Sequence, residues 1–201
     1  MCWVNLPHYI MLGLISGWVA SLWIWLFSQW MQFKRQSKLQ FLKNRYFYVL
    51  FITLVISLIQ FWSQTSFIGN KGMLTGLWSY DHLAQGMPKV FGSDGVFEGI
   101  TIAFLQRWFV IMCFATMPIP SGIALPSITQ GALIGRFYGE ILRWYYPWVQ
   151  PQAFSIVGAA AYGGVMTRCT SITLLIIEMT GKIELMLGIL MATMFSYAIA
   201  N

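Results

Sequence analysis

From Leu6 to Phe33 the chain runs without a single Asp, Glu, Lys or Arg. As a helix rising about 1.5 Å per residue, such a run outlasts the roughly 30 Å hydrocarbon core of a bilayer. A soluble core has no room for a stretch that long and apolar on every side. The composition agrees with a membrane setting, with 58% of the 201 residues hydrophobic and 9% charged, where a soluble domain carries about 25% charged residues. The expected fold class is all-α integral membrane: a multi-pass bundle of tilted, partly broken transmembrane and re-entrant helices in contact with the lipid bilayer.

The remaining apolar runs are uneven. After the first span at 6–33, a second is expected at 46–62. Residues 69–98 are polar and glycine-rich, which reads as a surface loop or a short re-entrant element. A third span at 100–117 contains Arg107, and a fourth element at 123–146 ends in Trp144, Tyr145 and Tyr146 with Trp148 beyond, an interfacial aromatic anchor. Short late helices fill 154–200, two of which (Phe154 to Met166 and Ser171 to Thr180) are too short for a full crossing. Gly13 with Gly17, and Gly131 with Gly135 and Gly139, recur every fourth residue and mark faces where another helix approaches closely.

Between the third and fourth elements lies Pro118-Ile119-Pro120-Ser121-Gly122, followed by Pro126. Proline and glycine interrupt backbone hydrogen bonding, and hydrocarbon offers no water to compensate. Non-helical backbone at membrane depth is tolerated where it lines a cavity or is buried in protein. A helix that starts near Ile123 accommodates Pro126 in its first turn, where a missing N–H is harmless. The first N–H groups, near Ile123 and Ala124, then have no helical partner and carry the positive end of the helix dipole. That is a natural anion seat, and Gly122 leaves the backbone approachable. The same residues also fit a simple proline-kinked span.

Two charges lie in apolar surroundings, Arg107 and Glu178. A lone charge at the bilayer centre is expensive, so Arg107 is expected to pair with an acid or face water, and Glu178 is the membrane-depth acid available. The basic cluster Lys34, Arg35, Lys38, Lys43 and Arg45 reads as a solvated loop at a span edge, near anionic headgroups. Nothing in the charge pattern suits a nucleic acid. Cys2, Cys113 and Cys169 have no metal-ligand spacing and read as small core residues, so neither a metal nor a cofactor is expected. A hydrolase built on Ser121 or Ser127 would need a histidine base at depth. His8 at the edge of the first span and His82 in the polar loop are poorly placed, so the chain is not read as an enzyme. Another broken-helix secondary transporter with a different solute remains open.

The five residues Gly122-Ile123-Ala124-Leu125-Pro126, GIALP, resemble the G-x-F-x-P signature of the CLC family of chloride channels and chloride/proton exchangers. Asn5 to Gln32 looks like the family's ninth helix, and Phe104 to Pro120 is similar to the segment leading into the signature. Gly158 to Leu185, with its Glu178-Met179-Thr180, resembles the family's late helix pair. The resemblance implies one half of an inverted-repeat CLC architecture that moves chloride or a similar anion, by channel or antiport, as a homodimer. It assigns anion contact to the backbone amides of Ile123 and Ala124. Ala124 stands where the signature has phenylalanine, so the amide is kept and the aromatic wall is lost. The family's G-S-G-x-P and G-K/R-E-G-P segments do not occur, and its coordinating tyrosine would follow shortly after Asn201. The chain thus resembles the second half of a CLC membrane domain, stopped one helix early.

Overall fold

The computed structural model describes residues 6–36, 45–62, 69–79, 96–117, 122–146 and 148–201, and all regular structure in them is helical. In chain order the helices are α1 (Leu6–Gln36), α2 (Arg45–Trp62), α3 (Asn70–Leu77), α4 (Val96–Ala115), α5 (Ala124–Tyr145), α6 (Pro151–Thr167), α7 (Ser171–Thr180) and α8 (Met186–Ala200), the last preceded by a 3-10 turn at Ile183–Leu185. Among the described residues, three helical stretches, Leu6–Gln36, Phe97–Ala115 and Ile183–Ala200, are long and apolar enough to cross a membrane. Expectations for Cys2, Lys38, Lys43, His82 and Ser121 fall outside the described residues.

The centre of the bundle is α6. Phe154, Ile156, Val157, Ala159, Ala160 and Ala161 are all fully buried, enclosed by α5, α1, α8 and α7. Small residues make this enclosure tight. A methyl group added at Gly131 would collide with the carbonyl oxygen of Gly158, and one at Gly135 with that of Phe154. At Gly139 it would lie 2.8 Å from Cα of Pro151. The two backbones are in direct contact, with van der Waals packing replacing the hydrophobic drive that lipid cannot supply. Ser155 Oγ adds a hydrogen bond across the seam, donated to the Ala132 carbonyl at 2.9 Å.

A second glycine seam joins α1 to α8. Gly13 faces Ala192, and a methyl group at Gly17 would lie 2.7 Å from the Ser196 carbonyl oxygen. The Gly13/Gly17 face is therefore used inside this chain. Ser196 Oγ continues inward and donates to the Ala161 carbonyl at 3.2 Å. Helix ends follow local chemistry: α6 opens on Pro151 and closes on Arg168 in the left-handed region (φ 51°). There the N–H of Cys169 reaches back to the Gly164 carbonyl at 3.2 Å. Gly181 (φ 63°) ends α7 in the same region without side-chain strain.

Several expectations are corrected here. The stretch at 69–98, read as a surface loop or a short re-entrant element, contains a short helix, α3, whose Met73, Leu74 and Leu77 belong to the main core, which sets aside the surface-loop alternative for 70–77. Its apolar residues recur at helical spacing, a pattern masked by the glycines and lysine between them. Helix α4 begins at Val96 rather than at 100, and α6 begins at Pro151 rather than at 154. Cys169 is exposed in the turn between α6 and α7, not in the core.

Candidate functional site

The start of α5 is open on its first turn and locked from the second turn onward. Ile123 is the N-cap, with helical backbone angles and no side-chain capping bond. The first bond inside the helix runs from the Ser127 N–H to the Ile123 carbonyl at 3.1 Å. Pro126 has no N–H, so the donors without a helical partner are those of Ala124 and Leu125, next to the Ile123 amide. Gly122, Ile123, Ala124 and Leu125 are all exposed, and a methyl group at Gly122 would meet nothing within 4 Å.

Deeper in, everything is fixed. Ser127 Oγ donates to the Ala124 carbonyl at 2.7 Å and Thr129 Oγ1 to the Leu125 carbonyl at 2.7 Å. Gln130 is fully buried, and its Nε2 donates to the Phe104 carbonyl of α4 at 2.9 Å. The arrangement is a rigid post that ends in exposed N–H groups and a positive partial charge of about half a unit. Such a helix start favours a negative charge over a positive one.

The two charged candidates lie on other helices, α4 and α7. Arg107 Nη1 donates to Asn70 Oδ1, an amide on α3. This bond links α4 to α3. Glu178 is exposed on α7, a helix that packs chiefly on α6 and α8. Ser127, the described candidate nucleophile, is fully buried with its hydroxyl turned onto the Ala124 carbonyl. The His8 ring lies 6.2 Å from that of Tyr146, at the opposite end of α5, some 28 Å away at 1.5 Å per residue. They cannot form a nucleophile and base pair.

One charged residue escaped the reading of the sequence. Arg136 on α5 is 1% exposed. Its Nε bonds Glu140 Oε1 at 3.2 Å, and its Nη1 donates to the carbonyls of Leu77 at 2.9 Å and Ser79 at 3.3 Å. Gln152 Nε2 of α6 donates to the Trp78 carbonyl between them. Three successive carbonyls at the end of α3, which no helix can satisfy internally, are thus received by donors on α5 and α6. The available signal was the position of Arg136 and Glu140 one turn apart, next to Gly135 and Gly139 on a face built for close packing.

Comparison with known proteins follows the same geometry. The sequence model of a family described as "Voltage gated chloride channel" matches residues 2–201. The chain is 29% identical to "Chloride channel protein 2" of Drosophila melanogaster over 220 residues, covering 96% of this chain and 18% of that protein. It is 23% identical to "Chloride channel protein" of Tetronarce californica, covering 98% of this chain and 28% of that one. In three dimensions it is similar to a crystal structure of a eukaryotic CLC transporter, with a TM-score of 0.76 and 22% identity over 98% of this chain and 33% of that chain. The chain spans between about a fifth and a third of the length of these proteins.

Proposed function

This chain belongs to the voltage gated chloride channel family, and on that premise we propose that it forms part of a protein moving chloride across a membrane. The first turn of α5 serves as one wall of the anion pathway. The observation that carries this reading is the open, uncapped start of a helix whose next turn is locked by Ser127, Thr129 and Gln130. Its amides at Ile123, Ala124 and Leu125 act together, with Gly122 and Pro126 keeping the approach clear.

One helix start is not a complete site. Stripping water from an anion costs tens of kcal/mol in a low-dielectric limit, whereas a helix terminus returns at most about 2 kcal/mol. Further donors, supplied by the rest of the protein, are part of the proposal. The relatives named above are channels and the structural neighbour is a transporter. Proton movement coupled to chloride flux, measured in the same vesicles, separates the two.

The test is chloride efflux from vesicles that hold the full-length protein. Gly122→Val is expected to bring efflux to background while leaving the protein folded, because a branched side chain would cover the exposed N–H groups. Ala124→Phe is expected to keep efflux and change the preference among chloride, bromide and nitrate. Normal efflux through Gly122→Val would remove the α5 start from the pathway.

We also assign a homodimer contact to the outward faces of α7 and α8, where Leu174, Leu175, Leu187 and Met194 are exposed. The Gly13/Gly17 face is occupied within the chain and is not available for it. Cysteines at Leu174 or Leu187 are expected to cross-link two copies of the full-length protein. If both stay monomeric while sites on α2 cross-link, the assignment fails.

A further inference from the structure

The last carbonyls of α4 lie just ahead of the proline-rich break, and one of them is held by a residue from the far end of α1. Lys34 Nζ donates to the Thr116 carbonyl at 2.9 Å. The same ammonium sits 3.6 Å from the centroid of the Tyr48 ring on α2. Tyr48 closes the circuit: its hydroxyl donates to Thr116 Oγ1 at 2.8 Å, and Thr116 Oγ1 donates to the Cys113 carbonyl at 2.7 Å. Tyr48 and Thr116 are 6% and 4% exposed. Lys34 thus meets the Tyr48 ring and the Thr116 main chain, Tyr48 meets the Thr116 side chain, and the three residues come from α1, α2 and the turn that ends α4.

Lysines at helix ends ordinarily extend their stems along apolar surface and leave the ammonium in water. Lys34 instead is half-buried and turned inward. It meets an orphan carbonyl at the negative end of the α4 dipole and the face of an aromatic ring, both of which favour a cation. The charge thus meets both the Thr116 carbonyl and the Tyr48 ring. Helix α4 is in turn tied to the second turn of α5, where Gln130 Nε2 donates to the Phe104 carbonyl at 2.9 Å, so a shift at the end of α4 reaches the α5 start.

We propose that Lys34, Tyr48 and Thr116 form a positioning clamp that ties the ends of α1 and α2 to the start of α5, and so tunes the anion pathway. The proposal rests on the reading of the α5 start as a wall of that pathway. Its test therefore includes one measurement that needs no ion flux. In full-length protein carrying Ile123→Cys, with Cys2, Cys113 and Cys169 replaced by serine, the modification rate by a small charged thiol reagent reports how the α5 start is presented.

Lys34→Met is expected to change that rate by roughly 3-fold or more, in line with residues that couple two elements. Tyr48→Phe, which removes one hydroxyl and keeps the ring, is expected to shift it in the same direction by less. Lys34→Arg is expected to restore the parent rate, and Arg35→Met, one position along and exposed, to leave it unchanged. Where flux is measurable, the relative permeability of bromide and chloride should follow the same order. Should Lys34→Met fail to fold, Tyr48→Phe and Lys34→Arg carry the test. Parent-like rates in Lys34→Met or Tyr48→Phe overturn the clamp, as does an equal change in Arg35→Met. An altered rate in a protein that carries no anion leaves the clamp standing and removes the function instead.

Discussion

Gly135→Val is expected to leave almost no monodisperse protein after detergent extraction. The branched side chain would enter α6 at the Phe154 carbonyl oxygen, and its neighbour there is backbone that no rotamer change can move. The only relief is to separate α5 from α6, which breaks the Gly131 and Gly139 contacts on the same face. Overpacking a core costs about 1–3 kcal/mol where side chains can adjust. Here two main chains are wedged apart, so the loss lies at or beyond the top of that range. Gly69→Ala is the control, because a methyl group there meets nothing within 4 Å, and a surface change of this kind stays within about 0.5 kcal/mol. The measurement is the elution profile and melting temperature of the two variants side by side. A Gly135→Val protein as stable as its parent would mean that α5 and α6 do not meet backbone to backbone.

The second large effect is at Arg136. Arg136→Met removes the partner of Glu140 and the donor to the Leu77 and Ser79 carbonyls in one step. Breaking a buried ion pair from one side costs about 3–5 kcal/mol, mostly because the remaining charge is left unpaired. Thermal melting in detergent should show this loss. Arg136→Met combined with Glu140→Leu should recover part of it and not all, since the α3 carbonyls would still lack their donor. Arg136→Lys should fall between, as an ammonium cannot reproduce the planar fork. If the double variant melts no higher than Arg136→Met, the burden lies entirely on the α3 carbonyls.

The sequence was legible where one helix speaks for itself. Long apolar runs marked α1, α4 and the span that ends at Ala200. Glycines at every fourth position marked both tight seams, α5 on α6 and α1 on α8. The proline and glycine break located the start of α5 to within a residue of Ala124. What escaped depends on partners far away along the chain. Lys34 looked solvated because Thr116 lies 82 residues later, and Arg136 looked unremarkable because Leu77 lies 59 residues earlier. Helix α3 was obscured for the same reason, since the donors that satisfy its final carbonyls belong to α5 and α6. Spacing rules describe which residues share a face; they carry no information on what that face will meet.

The enclosure of α6 bears on how the chain enters the membrane during synthesis. A nascent helix leaves the insertion machinery sideways by offering lipid a surface it prefers. Helix α6 keeps almost no lipid-facing surface in the finished fold: from Phe154 to Val165 every residue is buried in protein, and many are alanine or glycine. Its predecessor α5 carries Arg136, Gln130 and Thr129 on its protein-facing side, residues that hydrocarbon rejects until their partners are in place. Neither helix is a good independent lodger. They emerge one after the other with a short turn between them, and each supplies the surface the other lacks. The pair is therefore expected to enter as a hairpin that closes its glycine seam beside α1 and α3. Helices made early are then expected to stay near the exit until later ones complete their packing.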